Sequence, residues 1–212
     1  MIGDTSTHLR LLFNVVIGSE PMASAAFQTW CTTASSELNE ISKAHAAVGG
    51  TSRGRRYATL QLNHAYTMLL SSQFQRFCRD LHTEAASFLA QHGTIGAFRS
   101  VAFTALTQGR KLDTGNPNEG NIGSDFGKLG IVTLWTDINA HSPLNRRRRE
   151  KLKTLNEWRN AIAHQDFSKV GGSPALTLGT VESWRAACRG LASSLDVLVR
   201  GYACRVVGNR SW

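Results

Sequence analysis

The sequence predicts an all-α protein, an up-and-down bundle of about six helices. Apolar residues recur at three- and four-residue spacing over long stretches, and no alternating run of useful length argues for a strand. The periodic stretches are punctuated by Gly49-Gly50, by Gly93 and Gly96, by Ser142-Pro143, and by Gly171, Gly172 and Pro174, all helix-stopping positions. With 42% hydrophobic residues in 212, the chain has ample material for a core.

The first twenty residues are ambiguous: Leu11 to Ile17 reads as a short strand or a helical turn, closed by Gly18. A helix is expected from residue 21 to 48, with Pro21 in its first turn. The next, from 56 to 91, carries Leu62, Tyr66, Leu69, Leu70, Phe74, Phe77, Leu81 and Phe88 on one face, so it should be long and central. Asp80 and Glu84 sit at the edge of that stripe. A shorter helix follows to about Gly109, and residues 111–122 are a loop by composition. A helix over 124–139 takes Ser124 as its cap. Ser142-Pro143 opens another that should end near Phe167, and the last covers 181–207. We read one domain, with residues 1–54 as an N-terminal helical segment and 55–212 as the helical domain proper.

Lys and Arg number 24 against 15 Asp and Glu, a net charge of +9. Such an excess commonly serves to neutralise phosphate and points to a polyanionic partner, the alternative being a surface charge that serves solubility. The charge is localised. Arg53, Arg55 and Arg56 form one basic knot, and Arg146, Arg147, Arg148 and Arg149 form another. Cys31, Cys78, Cys188 and Cys204 show no CxxC spacing, and the last two would lie roughly 24 Å apart on one helix, too far for a disulfide. Reduced thiols and a cytoplasmic location are expected. No run of 18 apolar residues suggests a membrane span, and no secretory leader pattern is visible. No phosphate-cradling glycine motif occurs. Nor is there an HExxH, and His8, His45, His64, His82, His92, His141 and His164 include no close pair flanked by carboxylates. The expected chemistry needs no metal and no cofactor.

The most informative stretch is Leu155-Asn156-Glu157-Trp158-Arg159-Asn160-Ala161-Ile162-Ala163-His164. With about 100° per residue and Leu152 at zero, Leu155, Trp158, Ile162 and Ala163 fall near 300, 240, 280 and 20°, a continuous apolar face. Arg159 falls inside it, near 340°. A guanidinium there must be paired or must border a wet cleft, because an uncompensated buried charge costs several kcal/mol. Asp80 and Glu84 are the candidate partners. Asn160 and His164 stand four apart on one side of the helix. Trp135 and Trp158 are assigned to the core.

Arg159 followed directly by Asn160 and, five residues on, by His164 resembles the motif of HEPN domains. Asn118-Glu119-Gly120-Asn121-Ile122 with Phe126 to Ile131, and Leu62 to Ala65 through Phe77 to Leu81, resemble the branch labelled RiboL-PSP-HEPN, found in prokaryotic conflict and defence loci. The similarity covers roughly residues 55 to 205. It implies a helical, homodimeric endoribonuclease whose two motif copies face each other in one composite cleft, acting in a toxin or antiviral defence system with an antitoxin or defence partner.

The chemistry suits the residues. RNA carries its own nucleophile, the 2′-hydroxyl, so an enzyme need only assist proton transfer and stabilise charge on phosphorus. Histidine ionises near pH 6.5, and His164 is the general base or acid that the resemblance implies. Arg159 offers a planar fork to two phosphate oxygens. Asn160 holds the phosphate or fixes its neighbour. The implied products are a 2′,3′-cyclic phosphate and a 5′-hydroxyl. Gln75 stands where related sequences tend to carry Glu. Asp166 stands where some carry a tyrosine modified by a partner antitoxin. The alternative is a non-catalytic HEPN-like module that binds RNA or a protein and uses the same residues to hold its dimer.

Overall fold

In a computed structural model, residues 22–49, 57–93, 96–208 and 210–212 are described, and among them every regular element is helical. Helix α1 (Ala25–Thr29) runs through a π-helical turn (Trp30–Ala34) into α2 (Ser35–Gly49). Then come α3 (Tyr57–Gly93), α4 (Phe98–Thr107), α5 (Glu119–Lys128), α6 (Leu134–His141), α7 (Asn145–His164) and α8 (Leu178–Val206). The ambiguous segment at Leu11 to Ile17, Pro21, and the knot of Arg53, Arg55 and Arg56 lie outside the described residues.

Helix α3 is the spine, as its stripe predicts. Tyr66, Leu70, Phe74 and Leu81 are fully buried, while Leu62, Leu69 and Phe88 lie at the stripe's margins. It packs chiefly against α8, whose Val181, Leu191, Leu195 and Val199 are also sealed from solvent, and α7 closes on both. Each of these side chains contributes roughly 1.5–3 kcal/mol by leaving water. Trp158 and Trp135 are partly buried against this core, Trp158 beside Trp184.

Three boundaries differ from the expectation, each for a local reason. The helix expected over 124–139 is two. Asn118, not Ser124, caps α5 by accepting the Asn121 N–H at 2.8 Å, so the helix starts inside the stretch read as a loop. Gly130, at φ +91°, then turns the chain before α6. Helix α7 stops at His164 because Gln165 adopts φ 54°, a left-handed stop that lets the Asp166 N–H reach the Ala161 carbonyl at 3.0 Å. Helix α8 starts at Leu178, capped by the Thr177 hydroxyl on the Thr180 N–H. Near the N-terminus, Ser24 caps α1 through Phe27 N–H.

Cys188 and Cys204 both lie on α8, and all four cysteines are free thiols. Burial pushes Cys78 and Cys188 far above the ordinary thiol range, which leaves them protonated and inert. No helix of the described residues is long and apolar enough to cross a membrane.

Candidate active site

The last two turns of α7 carry Arg159, Asn160 and His164 on partly open surface. Arg159 is half-buried, and Asn160, Ala163 and His164 are exposed. The apolar face drawn on the helical wheel is therefore covered only as far as Ile162: Leu152, Leu155 and Ile162 are buried, but Ala163 is not. Of the two fates open to the guanidinium, pairing in the core or bordering water, the second holds.

Asp80 and Glu84 are not its partners. Asp80 lies 3.5 Å from Arg76 on the same helix. Glu84 accepts the Ala25 and Ala26 N–H groups at 3.0 and 2.6 Å, so the start of α1 occupies the place that Arg159 was expected to fill. Burial raises the Glu84 carboxyl against those two hydrogen bonds. Among the described residues Arg159 has no carboxylate partner within ion-pair distance. Its Nη1 instead donates to Asn160 Oδ1 at 3.3 Å.

That amide oxygen also accepts from Asn116 Nδ2 at 2.6 Å, across 44 residues of chain. Asn116 therefore joins the site, from the loop between α4 and α5. The loop is fixed from three sides. Asp125, fully buried on α5, accepts the Lys111 and Leu112 N–H groups at 2.7 and 2.9 Å. Gln75 Nε2 on α3 donates to the Leu112 carbonyl at 2.7 Å. Asn156 Nδ2 on α7 donates to the Pro117 carbonyl at 3.1 Å, and Asn121 Nδ2 to the Asn116 carbonyl at 2.8 Å. Gly115 allows the tight passage, since a Cβ there would come 2.9 Å from the Lys111 carbonyl oxygen. A glutamate at 75 would set a carboxylate against the Leu112 carbonyl, so glutamine suits this position.

Beneath the loop, His82 Nε2 bonds the Asp125 carbonyl at 3.0 Å, while its buried Nδ1 has no partner among the described residues. Burial lowers this imidazole to about 4, helped by the Arg110 and Lys128 charges and opposed by the bond to Asp125. His82 is a neutral structural histidine.

His164 is the last helical residue of α7, at the carbonyl end of the helix. Asp166 follows. The Ser168 hydroxyl and N–H hold its carboxyl below the ordinary range, and the Lys169 and His164 charges add to this. It stays ionised beside the imidazole.

The second basic knot divides. Arg146 and Arg147 are exposed at the start of α7. Arg148 is half-buried, with Nη1 donating to Asn145 Oδ1 at 2.8 Å. Arg149 is already committed: it pairs with Glu119 through both Nε and Nη2 and lies 4.9 Å over the Trp135 ring. Its expected part in binding RNA gives way to tying α7 to the N-terminus of α5.

Among the described residues, no three His, Cys, Asp or Glu side chains gather as a metal-binding group. Comparisons with family models, with curated proteins and with solved structures find no match for this chain.

Proposed function

We propose that this chain is an endoribonuclease of the HEPN type, working without a metal and as a homodimer with a composite cleft. One observation carries the reading: Arg159, uncompensated by any carboxylate among the described residues, is held by Asn160 on open surface one and a half turns before an exposed His164. A structural arginine would be locked to an acid. This one keeps its charge for an anion from outside.

In the proposed reaction the 2′-hydroxyl attacks the adjacent phosphorus and its proton passes to one His164 imidazole. The 5′-oxygen leaves with a proton from the His164 of a second copy, which gives a 2′,3′-cyclic phosphate and a 5′-hydroxyl. Arg159 bonds the non-bridging oxygens as charge builds on them. Asn116 locks the Asn160 oxygen, so the Asn160 N–H₂ group is left to face the phosphate. A setting in toxin or antiviral defence, with a controlling partner, follows from the resemblance alone.

Purified protein incubated with single-stranded RNA in excess EDTA should cleave it. Arg159→Ala and His164→Ala should each abolish cleavage while leaving the far-ultraviolet circular dichroism and melting temperature in place. RNA left intact by wild type across varied substrates would turn the reading to a binding module.

A further inference from the structure

Helices α7 and α8 leave a trough between them that the motif does not use. It consists of two adjoining clefts, of about 350 and 450 Å³, that share Arg148 and Ala186. Arg147 and Lys151 line the first and Arg189 the second, and no Asp or Glu lines either. The floor is made of small residues, among them Ser183, Ala186, Gly190 and Ser193.

Arg148 is the built element. Its Nη1 donates to Asn145 Oδ1 at 2.8 Å. Asn145 is fully buried and spends its own amide hydrogens on the Ile138 carbonyl at 2.6 Å and on Ser194 Oγ at 3.0 Å. The guanidinium lies over Gly190, and a Cβ built there would fall on its Nε and Cζ atoms. Glycine is a poor helix former, yet here it sits inside a 29-residue helix and makes room for that head group. One neutral acceptor, Asn145 Oδ1, thus orients the guanidinium and leaves its charge uncancelled, with no carboxylate in ion-pair range among the described residues.

We infer that this trough holds the sugar-phosphate backbone of a single RNA strand, with Arg148 as the central phosphate ligand and Arg147, Lys151 and Arg189 along its walls. Cations on both walls over small residues suit a strand's backbone, and among the lining residues His141, at one end of the second cleft, is the one ring on which a base would stack. Eleven residues separate Arg148 from Arg159, about 16 Å along α7, so the trough is an anchoring site distinct from the motif. The identity of the ligand as RNA rests on the nuclease reading, but binding is measured separately from cleavage.

The test is fluorescence anisotropy with a labelled single-stranded RNA in EDTA, over a range of salt, using full-length His164→Ala protein as the parent. Adding Arg148→Gln should weaken binding about tenfold, the size of one lost charge-assisted hydrogen bond. It should also flatten the salt slope by about 0.7, as expected for one phosphate contact on a single strand. Gly190→Ala should weaken binding similarly by displacing the guanidinium, while the melting temperature should change little, because the helix propensity gained with alanine offsets the hydrogen bond that Asn145 Oδ1 loses. Unchanged affinity and slope in both variants overturns the proposal, as does polyglutamate displacing the RNA as well as unlabelled RNA does. Loss of affinity in the trough variants of a protein that never cuts RNA sinks the nuclease reading and leaves the trough standing. Normal binding in those variants, together with normal cleavage when the same substitutions are made in the wild-type chain, sinks the trough alone.

Discussion

Acidification should loosen the platform under the candidate site through one imidazole. His82 is fully buried, and its value of about 4 in the folded protein lies below the ordinary 6.5. The folded state therefore keeps it neutral where the unfolded chain protonates it, so its stabilising contribution is complete above about pH 6.5 and is lost as pH falls towards 4. Integrating proton uptake over that window gives a loss of about 2.5 kcal/mol between pH 7 and pH 4.5. Carboxylates elsewhere in the chain also take up protons on acidification, so the useful quantity is a difference between variants. Urea unfolding of wild type and of His82→Gln, which keeps a donor for the Asp125 carbonyl, should be compared at both pH values. Whatever separates the two proteins at pH 7 should shift by about 2.5 kcal/mol against wild type at pH 4.5. A separation that does not change with pH would refute the argument that His82 is held neutral by burial.

Asn116→Ala should lower single-turnover RNA cleavage about three- to tenfold with little change in melting temperature, since it removes one largely exposed hydrogen bond that fixes Asn160. Arg149→Ala should reduce stability by about 1 kcal/mol, measured by denaturant titration, by deleting its pair with Glu119 and its stacking on Trp135, while RNA affinity falls less than in Arg148→Gln. Asp196→Ala should destabilise by about 3–5 kcal/mol or prevent folding, because Arg200, only 7% exposed, loses the carboxylate 3.0 Å from its Nε. An ordinary, wild-type-like melting curve for that variant would show that the buried pair matters little.

The helical architecture was legible because α3 and α8 each carry an uninterrupted apolar stripe, and periodicity is a local property of sequence. The break between α5 and α6 was not, because Pro117-Asn118-Glu119-Gly120 reads as loop although Asn118 caps a helix, and Gly130 reads as a tolerated interior glycine although its backbone is left-handed. At the site, Arg159, Asn160 and His164 could be found because they share one helix. Asn116 could not, since its bond to Asn160 spans a fold rather than a helical turn; the only hint was the density of asparagines at 116, 118 and 121. The same limit hid the pairing of Arg149 with Glu119 and the docking of α1 onto Glu84, two carboxylates whose partners lie 30 and 58 or more residues away.

The most direct test of the central claim is the chemistry of the RNA ends left after incubation in EDTA. Mass spectrometry should find 2′,3′-cyclic phosphates and 5′-hydroxyls, absent with His164→Ala. Ends of 3′-hydroxyl and 5′-phosphate, or cyclic phosphates that persist in the His164→Ala protein, would contradict attack by the 2′-hydroxyl assisted by this histidine.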